Sequence, residues 1–194
     1  GVEAALAFSS GYAANVGALS ALIEPGDLVV SDALNHASII DGIRLAKVKP
    51  VVVPHLDLPA IERALGEPRS GRAWVVTDLF FSMDADTPDF RALRSFCDRA
   101  GAALVVDEAH ALGLFGPKGR GLLAREKVKA DVLIGTFGKA FGASGAFVAG
   151  SVDLYQWLWN RARSFVFSTG MSPVVAANAL ANLDRNPPAG TVTI

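Results

Sequence analysis

One cysteine in 194 residues, Cys97, excludes an internal disulfide and a cysteine-rich zinc site. It falls in an amphipathic helical stretch, which marks it as a buried structural thiol and not a nucleophile. No apolar run is long enough to span a bilayer, although 51% of the residues are hydrophobic. No charged n-region precedes an apolar stretch, so no signal peptide is read. Charge of either sign is also short: the formal net charge is −1, with Lys and Arg scattered, which argues against nucleic acid or an anionic membrane as the main partner. The three histidines, His36, His55 and His110, lack metal-ligand spacing. These absences predict one soluble domain with a large core, in a reduced, cytoplasmic setting.

What the chain does contain is a succession of short apolar strands separated by helical segments. Asp27-Asp32, Val51-Val53, Ala73-Phe81, Ala103-Val106 and Val132-Ile134 read as strands, with Ala146-Ala149 as a partner of the last. Residues 4–8 read as a short strand or a helix end. Helices are predicted after Gly11, from Asn35 to Lys47, over Leu58–Leu65 and Phe90–Ala100, from Val152 to Arg163, and over 173–184. Gly113 to Gly121 reads as a Gly-rich loop. Trp157 and Trp159 are expected to pack, and Phe165–Thr169 to form a further strand. Continuous apolar strands alternating with helices predict an α/β three-layer sandwich around a mainly parallel sheet. Residues 186–194 read as a polar tail.

Ligands of such sheets collect outside the carboxyl ends of the strands. Ser82, Asp107, His110, Thr136 and Lys139 all fall at or just past such ends. Lys139 lies between glycines in Thr136-Phe137-Gly138-Lys139-Ala140-Phe141-Gly142, directly after a buried strand. Desolvation there lowers an ammonium pKa and favours a Schiff-base amine. On its own the segment would read as a surface lysine in a turn; Asp107, at the end of another buried strand, changes that. An amine for an imine and a carboxylate for a pyridinium nitrogen together describe a site for pyridoxal phosphate.

Other motifs fail on their context. Asp107-Glu108-Ala109-His110 spells a helicase DEAH box, but Gly138-Lys139 makes no Walker A loop: position 140 is Ala, and Leu133 stands where the first glycine belongs. Gly119 to Ala124 loosely fits a dinucleotide fingerprint, with no strand leading in. Ser144 is followed by Gly145-Ala146, which is not a nucleophile elbow.

Six segments together are similar to the α-oxoamine synthases, a family of fold-type I pyridoxal phosphate enzymes. They are Ser10-Gly11-Tyr12-Ala13-Ala14-Asn15, Asn35-His36-Ala37-Ser38, Phe81-Ser82-Met83-Asp84, Val106-Asp107-Glu108-Ala109-His110, Thr136-Phe137-Gly138-Lys139 and Phe167-Ser168-Thr169. The resemblance runs from residue 1 to about 183. Ser31 to Gly42 is most similar to the biotin-pathway branch, with the glycine C-acetyltransferase and 5-aminolevulinate synthase branches as alternatives.

The resemblance implies a role for each matching residue. Gly11 and Tyr12 would offer backbone N–H groups to the cofactor phosphate, and Thr136 would reach it. His36 would stack on the ring, and Asp107 would hold its nitrogen protonated. His110 and Ser82 would hydrogen-bond around the phenolic oxygen, and Lys139 would attach the cofactor. Thr169 would approach the cofactor of a second copy, implying a homodimer with shared sites. The implied reaction condenses an amino acid with an acyl-CoA or acyl-ACP and releases CO₂. A non-catalytic scaffold subunit of the same fold is the alternative, which retention of Lys139 disfavours. Departures are Leu79, where the family usually has a small residue, and Met171-Ser172-Pro173 in place of Pro-Pro. The family's N-terminal arm and small domain, with its substrate-carboxylate arginine, have no counterpart in these 194 residues, so 1–185 is expected to be the large domain.

Overall fold

The computed structural model describes residues 2–185; the proposed tail, 186–194, lies outside them. Seven strands form one sheet: β1 (Ala4–Phe8), β2 (Leu28–Asp32), β3 (Val51–Val53), β4 (Ala73–Asp78), β5 (Ala102–Asp107), β6 (Val132–Thr136) and β7 (Ala146–Gly150). Their order is β1-β7-β6-β5-β4-β2-β3. The pairs β2–β3, β2–β4, β4–β5 and β5–β6 are parallel, while β7 is antiparallel to both β6 and β1.

Strand alternation builds a core on each face. Trp74 and Val76 of β4, with Val105 of β5, face a cluster that includes Leu19, Ile39, Ile43 and Leu158. Their neighbours Val75, Leu104 and Val106 face the other cluster, with Ile61, Leu65, Leu93, Cys97 and Leu122. Helices α1 (Gly11–Leu22), α2 (Ala37–Leu45) and α6 (Val152–Arg161) supply the first layer, and α3 (Leu58–Leu65), α4 (Phe90–Ala100) and α5 (Gly121–Glu126) the second. This is the three-layer sandwich expected from strands that are apolar on both faces. Cys97 is fully buried and burial pushes its thiol up to about 11, so it is structural. Leu79 is likewise buried in the core.

Helix starts follow ordinary capping chemistry. Ser10, Asp57, Asp89 and Ser151 each accept a hydrogen bond from the backbone of the first turn of α1, α3, α4 and α6. Gly101 ends α4 at φ 60, a left-handed position that an L side chain would strain.

Three expectations need correction. Phe165–Thr169 is not a strand: Arg163–Val166 is a short helix, α7, followed by irregular backbone. The Ala162 carbonyl accepts from both Phe165 and Val166, and Phe165 turns its ring edge-on to Phe8, so the backbone is paired without a sheet neighbour while Val166 and Phe167 stay exposed. Trp157 and Trp159 do pack, but at the surface and not in the core: they are 41% and 51% exposed, with the Trp159 ring against Phe165 and Tyr155 and Trp157 Nε1 donating to the Ala21 carbonyl. The Gly113–Gly121 loop contains a 3₁₀ turn, Pro117–Gly119, and its last glycine begins α5. The final helix, α8, spans Pro173–Arg185. Among the described residues no helix is long and apolar enough to cross a membrane.

Candidate active site

A cleft of about 410 Å³ opens at the carboxyl ends of β2, β4, β5 and β6. It sits beside the point where the chain, having laid β3 outside β2, returns to lay β4 and β5 on the opposite side. Gly11, Tyr12, His36, Ser82, Asp107, His110, Thr136 and Lys139 all line it. Thr169 does not; it lies in a separate groove with Phe8, Trp159 and Phe165.

Asp107 ends β5 and is buried. Its Oδ2 accepts from Asn15 Nδ2 at 2.6 Å and its Oδ1 from the Ala109 N–H at 2.7 Å, so both oxygens are fixed. Opposite it, Lys139 Nζ lies 2.5 Å from His110 Nε2. Two cations cannot share that distance, so one partner is neutral there. Desolvation pulls both groups down, and each resists the charge of its surroundings in its own way: Asp107 and Asp78 push the Lys139 amine back up, while Lys139 pushes the His110 imidazole further down. The lysine bends into the cleft through a Gly-rich turn in which Thr136 Oγ1 donates to the Gly145 carbonyl and accepts from the Gly138 N–H. Gly113, at φ 84, packs against this turn so closely that an added Cβ would lie 2.6 Å from that of Ala140.

His36 lines the cleft and caps α2: its Nδ1 accepts from the Ser38 N–H, at 3.2 Å. Its own N–H donates to Asp78 Oδ2 at 2.8 Å, and the Asp78 N–H donates to Asn35 Oδ1 at 2.9 Å. Asn35 is tied in turn to Val76 O and Ser31 Oγ. Burial, reinforced by the neighbouring Asp107, raises the Asp78 carboxyl to about 7. Asp78 and Asp107 end neighbouring strands in register, so the two side chains stand side by side on the cleft floor and the Asp107 charge adds to the rise at Asp78. Tyr12, at the first turn of α1, hydrogen-bonds through its hydroxyl to Asp41 Oδ2.

Asn15, Asn35 and Asp78 escaped the sequence reading. Asn15 sits on the motif segment Ser10–Asn15 and Asn35 on Asn35–Ser38, so both were in view as motif letters without a role. Asp78 carried a weak signal as an acidic residue ending an apolar strand, in register with Asp107. Among the described residues no His, Cys, Asp and Glu cluster could hold a metal ion.

The donor set suits a planar, anionic heteroaromatic ligand: a fixed carboxylate for a ring N–H, an amine, a facing imidazole, and α1's first-turn N–H groups beside Thr136 for an anion. Gly11 leaves the approach open, since an added Cβ would meet nothing closer than Thr136 at 3.9 Å.

Residues 1–190 match the family model for aminotransferase class I and II. The chain belongs to that family. Similar members include the 8-amino-7-oxononanoate synthase of Geobacter sulfurreducens, 50% identical over 187 residues, which cover 95% of this chain and 48% of that protein. Among solved structures, SPT with PLP internal aldimine superposes with a TM-score of 0.90 at 32% identity, over 95% of this chain and 47% of that one. The 8-amino-7-oxononanoate synthase of Francisella tularensis superposes with a TM-score of 0.84 at 30% identity, over 95% and 54%. This family member spans about half the length of the curated relatives it matches.

Proposed function

We propose that the chain is the cofactor-binding large domain of a pyridoxal-phosphate-dependent α-oxoamine synthase. Such an enzyme joins an amino acid to an acyl thioester with loss of CO₂. L-alanine with pimeloyl-CoA or pimeloyl-ACP is the favoured pair, by likeness to relatives named 8-amino-7-oxononanoate synthase. The observation that carries the reading is the convergence of Lys139, His110 and Asp107 on one cleft.

Pyridoxal phosphate, when bound, supplies an electron sink for negative charge developing at the substrate's Cα. Asp107, already held by Asn15 and Ala109, would keep a proton on the ring nitrogen, because a fixed anion beside an N–H favours the charged form. The N–H groups of Gly11 and Tyr12, with Thr136, would hold the phosphate. His36 would lie against the ring face, its orientation set by Ser38 and Asp78. His110 and Ser82 would hydrogen-bond around the phenolic oxygen. Lys139 would attach the cofactor and, once freed, take the proton from the substrate's Cα; desolvation, which pulls its amine down, keeps more of it in the unprotonated form that both tasks need. Thr169 would serve the cleft of a second copy, giving a homodimer. A cytoplasmic setting accords with the buried thiol of Cys97.

The test is to add pyridoxal phosphate to the purified chain, reduce with borohydride and map the labelled peptide. The label is expected on Lys139 and is lost in Lys139→Ala; a label on another lysine would overturn the assignment. A longer version including the family's arm and small domain, assayed against amino-acid and acyl-CoA pairs, then separates the branches. Preference for glycine over L-alanine would move the chain to the glycine-using alternatives.

A further inference from the structure

His55 lies outside every segment that carries the family resemblance, yet it links two walls of the cleft. Its Nδ1 is 2.9 Å from Asp32 Oδ1, and its Nε2 is 3.2 and 3.1 Å from the two oxygens of Asp86. A neutral imidazole has one N–H and one lone pair, so it can satisfy only one of two carboxylates. Facing one on each side, the ring is complementary to the imidazolium. Phe81 closes one side edge-on, with ring centroids 4.4 Å apart.

Each carboxylate belongs to a different wall. Asp32 is buried at the end of β2, and it also accepts from the Leu34 and Leu56 N–H groups at 2.8 and 2.9 Å. It thereby shapes the turn that leads to Asn35 and His36. Asp86 closes the turn after β4: the Phe81 N–H donates to the Asp86 carbonyl at 3.1 Å, and the Ala85 N–H to the Phe81 carbonyl at 2.8 Å. Between them lie Ser82, Met83 and Asp84, all on the cleft rim, with Met83 92% exposed. The buried ring of Phe81 anchors one end of this turn, and the His55–Asp86 contact ties its other end to β2.

We propose that His55 is a positioning residue whose doubly protonated ring pins the 81–87 turn to the end of β2, holding the mouth of the cleft, and releases it on losing a proton. The charged groups facing the ring are Asp32 and Asp86; Asp57, on the following turn, is committed to capping α3 through the Ala60 N–H. Burial by itself would push the imidazolium down, but the hydrogen bonds it donates to Asp32 and Asp86 outweigh it and the net direction is up from 6.5. The sign follows: pinning is fully present below the unfolded value and is lost as pH rises through the higher folded value. Each unit of difference is worth about a tenfold change in the opening equilibrium. None of this depends on which ligand the cleft takes.

The experiment is an NMR titration of His55 in the chain without cofactor. It is combined with amide exchange of Phe81 and Ala85 against pH, corrected for intrinsic rates, with the amides of α3 as reference. In the wild type His55 should titrate above its ordinary value, and exchange at Phe81 and Ala85 should rise severalfold across the same interval while α3 stays flat. In Asp86→Asn, a change at a partly exposed side chain, the His55 titration should move down and the step should shrink with it. His55→Gln should show no step. An ordinary His55 titration, or a step that survives in Asp86→Asn, would overturn the proposal.

Discussion

Asn15 Nδ2 and Asp107 Oδ2 meet at 2.6 Å, from the first turns of α1 and the last residue of β5. Both residues are buried, and Asn15 spends its second N–H on the Gly11 carbonyl. The contact fixes the carboxylate and locks the N-terminal turn of α1 to the sheet. Asn15→Ala removes a donor from a buried carboxylate, which costs about 1–3 kcal/mol. Urea denaturation should show that loss, and pyridoxal phosphate should bind more weakly; unchanged stability would mean water replaces the amide.

Asp107→Asn keeps the shape and removes the charge. We expect cofactor still to bind and, in the longer version of the protein, turnover to fall by several orders of magnitude, because a neutral partner no longer favours the protonated ring. Near-normal exchange of the substrate's α-proton in this variant would count against the role.

Glu108, the neighbour of Asp107, points the other way into the fold. It is fully buried; its Oε1 accepts from the Leu123 N–H at 2.8 Å, capping α5, while its Oε2 has no hydrogen-bond partner among the described residues. Burial raises the carboxyl from 4.5 to about 7, and the hydrogen bonds from Leu123 and Leu122 only partly offset this. The folded state therefore binds the proton more tightly than the unfolded chain. Its contribution is fully present below 4.5 and is lost as pH rises to about 7, a change on the order of 3 kcal/mol. Glu108→Gln mimics the protonated form, so its stability should decline less than the wild type's over that window, with Asp78, also raised to about 7, supplying the remainder. Parallel declines measured by urea denaturation would show that Glu108 is not the titrating group.

Thr169 sits at φ 63 in a groove separate from the cleft, close to exposed Phe167. Phe167, Val174 and Leu180 are 72%, 78% and 62% exposed, an apolar surface that favours association. We expect dimers or aggregates of this chain, and in the full enzyme a symmetric dimer burying more than ~2,000 Å². Thr169→Ala should then weaken cofactor binding although its own cleft is intact. Sedimentation of a stable monomer with full cofactor occupancy would sink the shared-site reading.

The sequence by itself determined the layered α/β architecture and pointed to Lys139 and Asp107 as candidate site residues. Strands apolar on both faces can only be buried between helices, and a glycine-flanked lysine after such a strand, with Asp107 ending another, has few other uses. Local periodicity failed where burial was supplied by a distant element. Phe165-Val166-Phe167 reads as a strand, yet it coils because Ala162 meets its backbone and Phe8 its ring. Only the tertiary structure decided which polar residues face inward. Asn15 looked like one more polar position on a helix, and its meaning lies in an aspartate ninety-two residues away. Asp78 acquires its raised proton affinity from burial first and then from the register that sets it beside Asp107, and His55 its complement of two carboxylates from separate turns. Such properties belong to pairs of groups brought together by the sheet, because desolvation and Coulomb interaction act through space and leave no trace in the order of residues.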